Sequence, residues 1–214
     1  MVNIKQQTIG ASWFQSFHYC EYKFYLHKVL GHKVEITKQI QEGTQIHAQK
    51  EEQFQKEAVP TTWQEFLASE EKTITKEVDF NKQIGDILLI GRIDEIAVDK
   101  EKIQIIDDKP RAFPYEATKL QLYAYCYLFN ETFKQPKKVI ATLRDRDTNN
   151  IVWEQPYSKA EEQQFFTTFY RLRSVLFEQE EPTPTDNPKK CNACQFKETC
   201  KFSVSNKDSI PTIK

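Results

Sequence analysis

Two short runs near the middle of the chain, GRIDEI (91–96) and IIDDKP (105–110), concentrate acidic residues beside a lysine. Both runs are rich in isoleucine, which favours β-strands. Side chains along a strand alternate between its two faces, so Asp107 and Lys109 share one face and Asp108 takes the other. The pattern therefore predicts a carboxylate and an amine side by side on one face of a sheet.

A hairpin formed by the two runs would bring a second carboxylate to that face. If its turn is centred at residues 100–101, Asp94 lies opposite Asp107. Like charges that face each other destabilise a plain sheet, and a divalent cation between them removes the repulsion. Mg²⁺ and Mn²⁺ prefer such oxygen ligands and keep open positions for water and phosphate oxygens. Asp94 and Asp107 are therefore predicted to bind Mg²⁺ or Mn²⁺, with Lys109 beside them.

The cysteines indicate a second kind of chemistry. Cys191, Cys194 and Cys200 form a C-x2-C-x5-C pattern near the end of the sequence, and the other two cysteines are Cys20 and Cys126. In a reducing compartment such a pattern favours a metal centre over a disulfide. Four thiolates suit either zinc or an iron-sulfur cluster, so the spacing leaves the metal and the fourth ligand open.

The elements that must position these residues follow from hydrophobic periodicity and from capping and turn residues. The order of helices and strands is typical of an α/β domain built on a mixed central sheet flanked by helices. The predicted helices cover residues 12–30, with Ser12 and Gln15 as a capping box, and residues 39–56, 61–69, 115–131 and 159–179; the predicted strands are TITKEVDF, ILLIGRIDEIAV, KIQIIDDK, KKVIATLRD and NIVWEQ; residues 181–188 form a proline-rich linker.

Composition narrows the class of protein. The chain has 214 residues, 29% of them charged and 39% hydrophobic, which is typical of one globular domain. Its net charge of −1 lacks the basic excess of simple DNA-binding modules, so any nucleic-acid contact must come from local patches. No apolar targeting segment begins the sequence, and the aliphatic run at 87–90 is far too short to span a bilayer. We therefore expect a soluble, cytoplasmic protein without membrane contact.

The acidic motifs and two further boxes resemble the PD-(D/E)xK nuclease superfamily. GRID, ending at Asp94, matches the Gly-x-x-Asp form of its RecB-like branch, and DDK at 107–109 matches the Asp-x-Lys motif. A histidine on an upstream helix, His47, and a Gln-x-x-x-Tyr box, Gln121 and Tyr125, stand in the same order as in that branch. The resemblance implies the restriction-endonuclease-like fold, with an α/β core around a mixed sheet.

It also implies metal-assisted hydrolysis of phosphodiester bonds. Asp94, Asp107, His47 and the backbone carbonyl of Asp108 would bind Mg²⁺ or Mn²⁺, and Lys109 would orient or help to deprotonate the attacking water. The Gln-x-x-x-Tyr residues, one helical turn apart, would point toward the substrate strand and join the catalytic set with Asp94, Asp107 and Lys109.

The cysteines extend the resemblance to RecB-like nucleases that carry an iron-sulfur cluster. Those nucleases place one cysteine before the nuclease core and three after it, as Cys20 and then Cys191, Cys194 and Cys200 do here. The resemblance implies a 4Fe-4S cluster on these four ligands, and a zinc site with the same ligands is the alternative. Cys126 is left over and is expected in the core.

With this cysteine arrangement the chain resembles the CRISPR-associated RecB-family exonucleases, the fourth Cas family. One domain over residues 1–214 is implied, with a nuclease core at about 35–180 and a cluster subdomain formed by about 10–34 and 181–203. The implied activity is a DNA exonuclease on single strands or overhangs that trims spacer precursors together with the CRISPR integrase. Strand-end cations, namely Lys109, Arg111, Arg144 and Arg146, are candidates for contacts with the DNA backbone.

Three other functions are compatible with parts of the pattern. A stand-alone DNA repair or viral exonuclease of the same branch would carry the same motifs. The nuclease part of a helicase-nuclease is disfavoured, because no glycine begins a G-x-x-x-x-G-K-[ST] phosphate loop. A non-catalytic four-cysteine module that binds DNA or protein belongs to another class, and the intact His47, Asp94, Asp107 and Lys109 argue against it.

Overall fold

A computed structural model describes residues 7–34, residue 45 and residues 52–204. Within them the chain forms a mixed α/β fold. The strands are β1 (Gln7–Gly10), β2 (Thr73–Ile84), β3 (Ile87–Val98), β4 (Lys102–Lys109), β5 (Lys138–Asp145) and β6 (Ile151–Pro156); the helices are α1 (Trp13–Tyr19), α2 (Glu21–Lys28), α3 (Trp63–Ala68), α4 (Glu116–Thr132), α5 (Lys159–Leu176) and α6 (Pro188–Asn192).

Most of the predicted elements are confirmed. The five predicted strands appear as β2 to β6, and α3, α4 and α5 lie where hydrophobic periodicity placed them. A capping box of Thr62 and Glu65 begins α3, and another of Ser158 and Glu161 begins α5. Most of the helix predicted over 39–56 lies outside the described residues. Residues 52–57, which are described, are helical.

The prediction of one helix from Ser12 to Leu30 is wrong. The segment forms α1 and α2, separated at Cys20, whose backbone is extended (φ −168°, ψ 116°). The Cys20 sulfur accepts a hydrogen bond from the Lys23 N–H at 3.5 Å, as an N-cap side chain does. The predicted cap at Ser12 is also wrong, because Ser12 has helical dihedrals and its side chain makes no cap hydrogen bond.

The sheet is organised around β3. Strand β2 pairs antiparallel with β3 over its full length, and β1 and β4 share the other edge of β3. On that edge β1 pairs in parallel with residues 87–90 and β4 pairs antiparallel with residues 95–98. Strand β5 then adds in parallel to β4, and β6 closes the sheet antiparallel to β5. The edge of β3 therefore changes partner between residues 90 and 95.

The predicted hairpin register is the observed one. Glu95 pairs with Ile106 and Val98 with Ile103, which is the register of a turn centred at residues 100–101. The ladder stops one pair short of Asp94 and Asp107, however, because β4 separates from β3 at that point.

Helix α4 is the crossover between the parallel strands β4 and β5. Every residue from Leu120 to Phe129 is buried, which fits a helix covered on all sides. It contacts β2 to β5 on one side and α1 and α5 on the other. This central position lets side chains of α4 reach the ends of β3 and β4. None of the helices in the described part of the chain is long and apolar enough to cross a membrane.

Candidate active site and cysteine site

The gap on the edge of β3 contains the first predicted carboxylate. Asp94 lies between the residues that pair with β1 and those that pair with β4. Its Oδ2 accepts a hydrogen bond from the backbone N–H of Asp108 at 2.8 Å. A backbone donor that the departing strand would otherwise leave unpaired therefore fixes the Asp94 carboxylate against the end of β4.

Asp107 is the most buried carboxylate of the site, with 0% of its surface exposed. Its Oδ1 accepts hydrogen bonds from Lys109 Nζ at 2.9 Å and from Gln121 Nε2 at 3.4 Å. Its Oδ2 is buried and has no hydrogen-bond partner among the described residues. Burying an unpaired anionic oxygen costs free energy, so this atom is suited to bind a cation.

The Gln-x-x-x-Tyr residues lie behind this carboxylate. Gln121 and Tyr125 are both buried, and Gln121 Nε2 donates to the Tyr125 hydroxyl at 2.8 Å. Burial raises the pKa of Tyr125 well above its usual range, and the charges of Asp107 and Asp94 raise it further. In the structure these two side chains therefore support Asp107 from the core.

The glycine of the GRID motif makes room for this support. A Cβ on Gly91 would lie 2.8 Å from Leu128 Cδ1 and 2.9 Å from Tyr125 Cε1, well inside van der Waals contact. Helix α4 can therefore approach β3 this closely only because residue 91 has no side chain.

Lys109 is positioned as an ammonium ion. Burial alone would lower the pKa of its amine, but the nearby charges of Asp107 and Asp94 outweigh burial and raise that pKa above the usual value. The amine is therefore protonated near neutral pH in this arrangement, and it donates to Asp107. Asp107 and Lys109 thus meet on one face, as alternation along the strand predicted, and Asp94 is near enough for its charge to act on Lys109.

Sequence reasoning missed the ion-pair network on the opposite face of β4. The guanidinium of Arg144 donates two hydrogen bonds to Asp108 and two to Glu95, at 2.8–3.1 Å. The Arg144 side chain is 18% exposed and both carboxylates are buried. Arg144 is therefore corrected from a candidate DNA contact to a structural residue, since its donors already bind these carboxylates.

Sequence reasoning also missed Glu77 on β2. The pairs on either side of it, Lys76 with Glu95 and Val78 with Ile93, place Glu77 across from Asp94. Its side chain is 8% exposed, and Arg92 Nε lies 3.1 Å from its carboxylate. Glu77 has a φ of 51°, in a region that residues with side chains rarely adopt. Side-chain alternation along β2 predicts which face Glu77 occupies. Its position beside Asp94, however, depends on the register between β2 and β3, which the sequence pattern does not give.

His47 lies outside the described residues. Arg111 is exposed at the end of β4, with a φ of 51°. The Arg146 side chain is largely buried, and its Nε lies 3.7 Å from Asp147 Oδ1.

The four predicted cysteine ligands surround one cavity. Cys20 lies at the break between α1 and α2, Cys191 on α6, and Cys194 and Cys200 just after α6. Burial raises the pKa of the Cys200 thiol, and charge on the other three cysteines raises it further. Cys126, in contrast, is fully buried within α4. The tertiary structure therefore separates the four thiols from the fifth.

Backbone N–H groups point at two of these sulfurs. Lys23 and Thr185 donate to Cys20 Sγ at 3.5 and 3.4 Å, and Phe196 donates to Cys194 Sγ at 3.4 Å. Hydrogen bonds to the ligand sulfurs are also a feature of iron-sulfur sites, where they tune the cluster.

Reciprocal contacts bring the two cysteine segments together. The Tyr19 hydroxyl donates to the Lys190 carbonyl at 2.7 Å, and Lys190 Nζ donates to the Tyr19 carbonyl at 3.0 Å. Arg171 on α5 donates to Glu21 at 2.6 Å, and Glu21 also accepts from the Thr183 N–H at 2.8 Å. Residues 181–188 are thus fixed against the start of α2 rather than forming a free linker.

In the part of the chain that is described, no group of three His, Cys, Asp or Glu side chains is arranged to hold a metal ion.

Comparisons with known proteins agree with this architecture. The sequence profile of the PD-(D/E)XK nuclease superfamily matches residues 49–201. No curated protein matches the sequence. The crystal structure of SSO0001 has a TM-score of 0.51 at 17% identity and covers 94% of this chain and 88% of its own. That of a "Putative exonuclease" from Eubacterium rectale has a TM-score of 0.55 at 12% identity and covers 99% and 97%.

At such low identity the two structures establish similarity of fold alone. The profile, however, spans well over half of the sequence and includes GRID, DDK and the Gln-x-x-x-Tyr box. The chain belongs to the PD-(D/E)XK nuclease superfamily.

Proposed function

We propose that this protein is a Mg²⁺- or Mn²⁺-dependent DNA exonuclease that hydrolyses phosphodiester bonds of single strands or overhangs. The observation that carries the proposal is the face shared by Asp94, Asp107 and Lys109, on which Asp107 keeps one buried oxygen without a hydrogen-bond partner among the described residues. Two carboxylates and an ammonium around such an atom match the needs of metal-assisted hydrolysis.

The donor set suits a hard divalent cation. Asp107 Oδ2 offers an anionic oxygen, and the carboxylate of Asp94, the carbonyl of Asp108 and the imidazole of His47 would complete the ligands. A bound cation supplies Lewis acidity, which lowers the pKa of an attacking water and offsets charge on the scissile phosphate.

The protein's own residues would orient the reaction. The Lys109 ammonium would stabilise negative charge that develops on the phosphate, because the adjacent carboxylates keep it protonated. Gln121, held by Tyr125, would fix the rotamer of Asp107, and the Asp108 N–H would fix Asp94. These contacts are formed before substrate binds, so little reorganisation would be needed.

We further propose that Cys20, Cys191, Cys194 and Cys200 bind a 4Fe-4S cluster of structural function. Four thiols around one cavity and N–H donors to two of the sulfurs support this assignment. A single zinc ion on the same four cysteines is the alternative, and it would need all four sulfurs about 2.3 Å from one point. The cluster would join the segment before the nuclease core to the segment after it.

The cellular role that we propose is trimming of spacer precursors in CRISPR adaptation, in the cytoplasm and in contact with the CRISPR integrase. It rests on the sequence resemblance described above. Co-purification of tagged protein with the integrase of the same genome tests it, and a reproducible failure to associate would favour a stand-alone repair or viral exonuclease.

Nuclease activity is tested with labelled single-stranded DNA and Mn²⁺. We expect the wild-type protein to shorten the labelled strand, and Asp94→Ala and Lys109→Ala to abolish cleavage without loss of the folded state. Asp79→Asn, which changes an exposed carboxylate on β2, is the matched control and should cleave normally. Absence of cleavage by the wild-type protein with its cysteine site intact would refute the enzyme and favour a DNA-binding module.

The cofactor is tested on protein purified without oxygen. A 4Fe-4S cluster gives a brown protein with visible absorption and about four iron atoms per chain. Colourless protein that contains stoichiometric zinc would overturn the assignment.

A further inference from the structure

Two aromatic side chains project from the loop between β4 and α4. Phe113 is 59% exposed and Tyr115 is 64% exposed, whereas most of the other aromatic rings are buried or half-buried. Their ring centroids lie 4.6 Å apart with an interplanar angle of 47°. The two rings form one exposed apolar surface on the loop that follows Lys109.

The loop that carries them is fixed to the sheet. The Tyr115 N–H donates to the Phe113 carbonyl at 2.8 Å, and Tyr115 is the N-cap residue of α4. The Ala112 N–H donates to Asp145 Oδ2 at 3.0 Å, and the Arg146 N–H donates to the Lys109 carbonyl at 3.0 Å. The rings are therefore held at a set distance from Lys109 rather than on a free loop.

The path along the chain places the rings close to the site. Tyr115 is six residues after Lys109 and six residues before Gln121. Six helical residues span about 9 Å, so a DNA strand bound at Asp107 would reach the two rings with a few of its nucleotides.

A basic cleft continues from the rings toward the cysteine site. Tyr115 lines it together with Lys23, Lys189 and Lys190, and its other lining includes serine, threonine and glutamine side chains. The acidic residue of the lining, Glu116, is paired with Lys119 at 2.5 Å. The cleft therefore offers ammonium groups and hydroxyls, which bind phosphate oxygens.

We propose that Phe113 and Tyr115 are a stacking platform for the bases of a single DNA strand, whose phosphates bind the lysines of this cleft. The proposal rests on the nuclease function proposed above and names the substrate that this function would select. Aromatic rings stack on every base, so the platform tolerates any sequence. Bases in a duplex are already stacked on each other, so the platform selects single strands.

The test measures binding without cleavage. Fluorescence anisotropy of a labelled 15-nucleotide oligo(dT) in EDTA gives the affinity of wild-type protein and of Phe113→Ala/Tyr115→Ala. We expect the double variant to bind about tenfold more weakly or worse, since each stacked base contributes about 1–3 kcal/mol. Tyr115→Phe keeps the ring and should bind like the wild type. Tyr170→Ala removes a ring that is 55% exposed on α5 and serves as the control.

Salt dependence separates rings from lysines. Lys189→Ala should reduce the slope of log affinity against log salt by about 0.7, the value for one phosphate contact on a single strand. The aromatic variants should leave that slope unchanged, and Lys134→Ala, a change at an exposed lysine beyond the end of α4, should alter neither quantity.

The outcomes separate this inference from the proposed function. Wild-type affinity in Phe113→Ala/Tyr115→Ala, while the wild-type protein cleaves DNA with Mn²⁺, would overturn the platform and leave the nuclease standing. Loss of oligo(dT) binding in that variant, in a protein that cleaves nothing, would support the platform and refute the enzyme. If the wild-type protein does not bind the oligonucleotide, the platform is overturned, and the rings are better explained as a contact for a protein partner.

Discussion

Replacing Arg144 with alanine tests whether the network behind the active site stabilises the protein. The change removes the guanidinium that donates four hydrogen bonds to Asp108 and Glu95, two carboxylates that are 6% and 7% exposed. Burial tends to lower the pKa of the guanidinium, but these hydrogen bonds and charges raise the pKa above its usual value, which reflects their favourable interaction. Lys76, 3.6 Å from Glu95, would be the nearest remaining cation to that carboxylate.

The expected loss follows from burial. Breaking a buried ion pair by removing one partner costs about 3–5 kcal/mol, because it leaves charge in a medium of low polarity. For a chain of 214 residues, that loss lowers the melting temperature by about 6–20 °C. Urea unfolding followed by circular dichroism gives the free energy of unfolding directly.

A surface ion pair provides the matched control. Arg173 donates to Asp86 at 2.9 and 2.6 Å, and the two side chains, 27% and 44% exposed, are more accessible to solvent than those of the Arg144 network. Arg173→Ala should therefore cost no more than about 1 kcal/mol. A triple change of Arg144→Met with Glu95→Gln and Asp108→Asn removes the buried charges together and should recover most of the stability. Equal, small losses in Arg144→Ala and Arg173→Ala would refute the reasoning.

Three further predictions concern residues that pack in or against α4. Gly91→Ala should destabilise the fold by about 1–3 kcal/mol and slow Mn²⁺-dependent cleavage, because the new Cβ displaces Tyr125; unchanged urea midpoint and rate would contradict this. Burial raises the pKa of the Cys126 thiol well above its usual value, so in cofactor-free native protein the half-buried Cys20, Cys194 and Cys200 should react first with a thiol reagent and Cys126 only after unfolding; rapid reaction of all five thiols would contradict this. Burial raises the pKa of Tyr123 and of Tyr127 to about 12. The folded protein therefore holds these protons between about pH 10 and 12 while the unfolded chain loses them. Stability falls across that window, and Tyr123→Phe and Tyr127→Phe should flatten the decline in urea midpoint.

Much of the candidate site follows from local rules. Side-chain alternation put Asp107 with Lys109 and Asp108 on the other face, and the observed contacts agree, since Lys109 binds Asp107 and Arg144 binds Asp108. The hairpin register followed from the positions of the strands and their turn. The i, i+4 spacing placed Gln121 and Tyr125 on one helix face, where they bond to each other.

Other features depended on partners that are distant in sequence. The hydrogen bond from the Asp108 N–H to Asp94 arises because β1 and β4 share one edge of β3, and no local pattern encodes that exchange. The burial of Arg144 likewise depends on β5 lying beside β4. An arginine at a strand end is usually solvated, so the sequence made Arg144 no more than a candidate for a DNA contact and gave no sign of its burial.

The cysteines show most clearly what the sequence determines and what the tertiary structure determines. Residue types alone identified thiolate chemistry in the C-x2-C-x5-C run, because soft ligands at short spacing imply a metal centre. Only the tertiary structure brings Cys20 to that run, across 171 residues of chain, through the break between α1 and α2 and the reciprocal bonds of Tyr19 and Lys190. Local sequence determines which groups a segment offers, whereas packing of the whole sheet and its helices decides which distant groups meet.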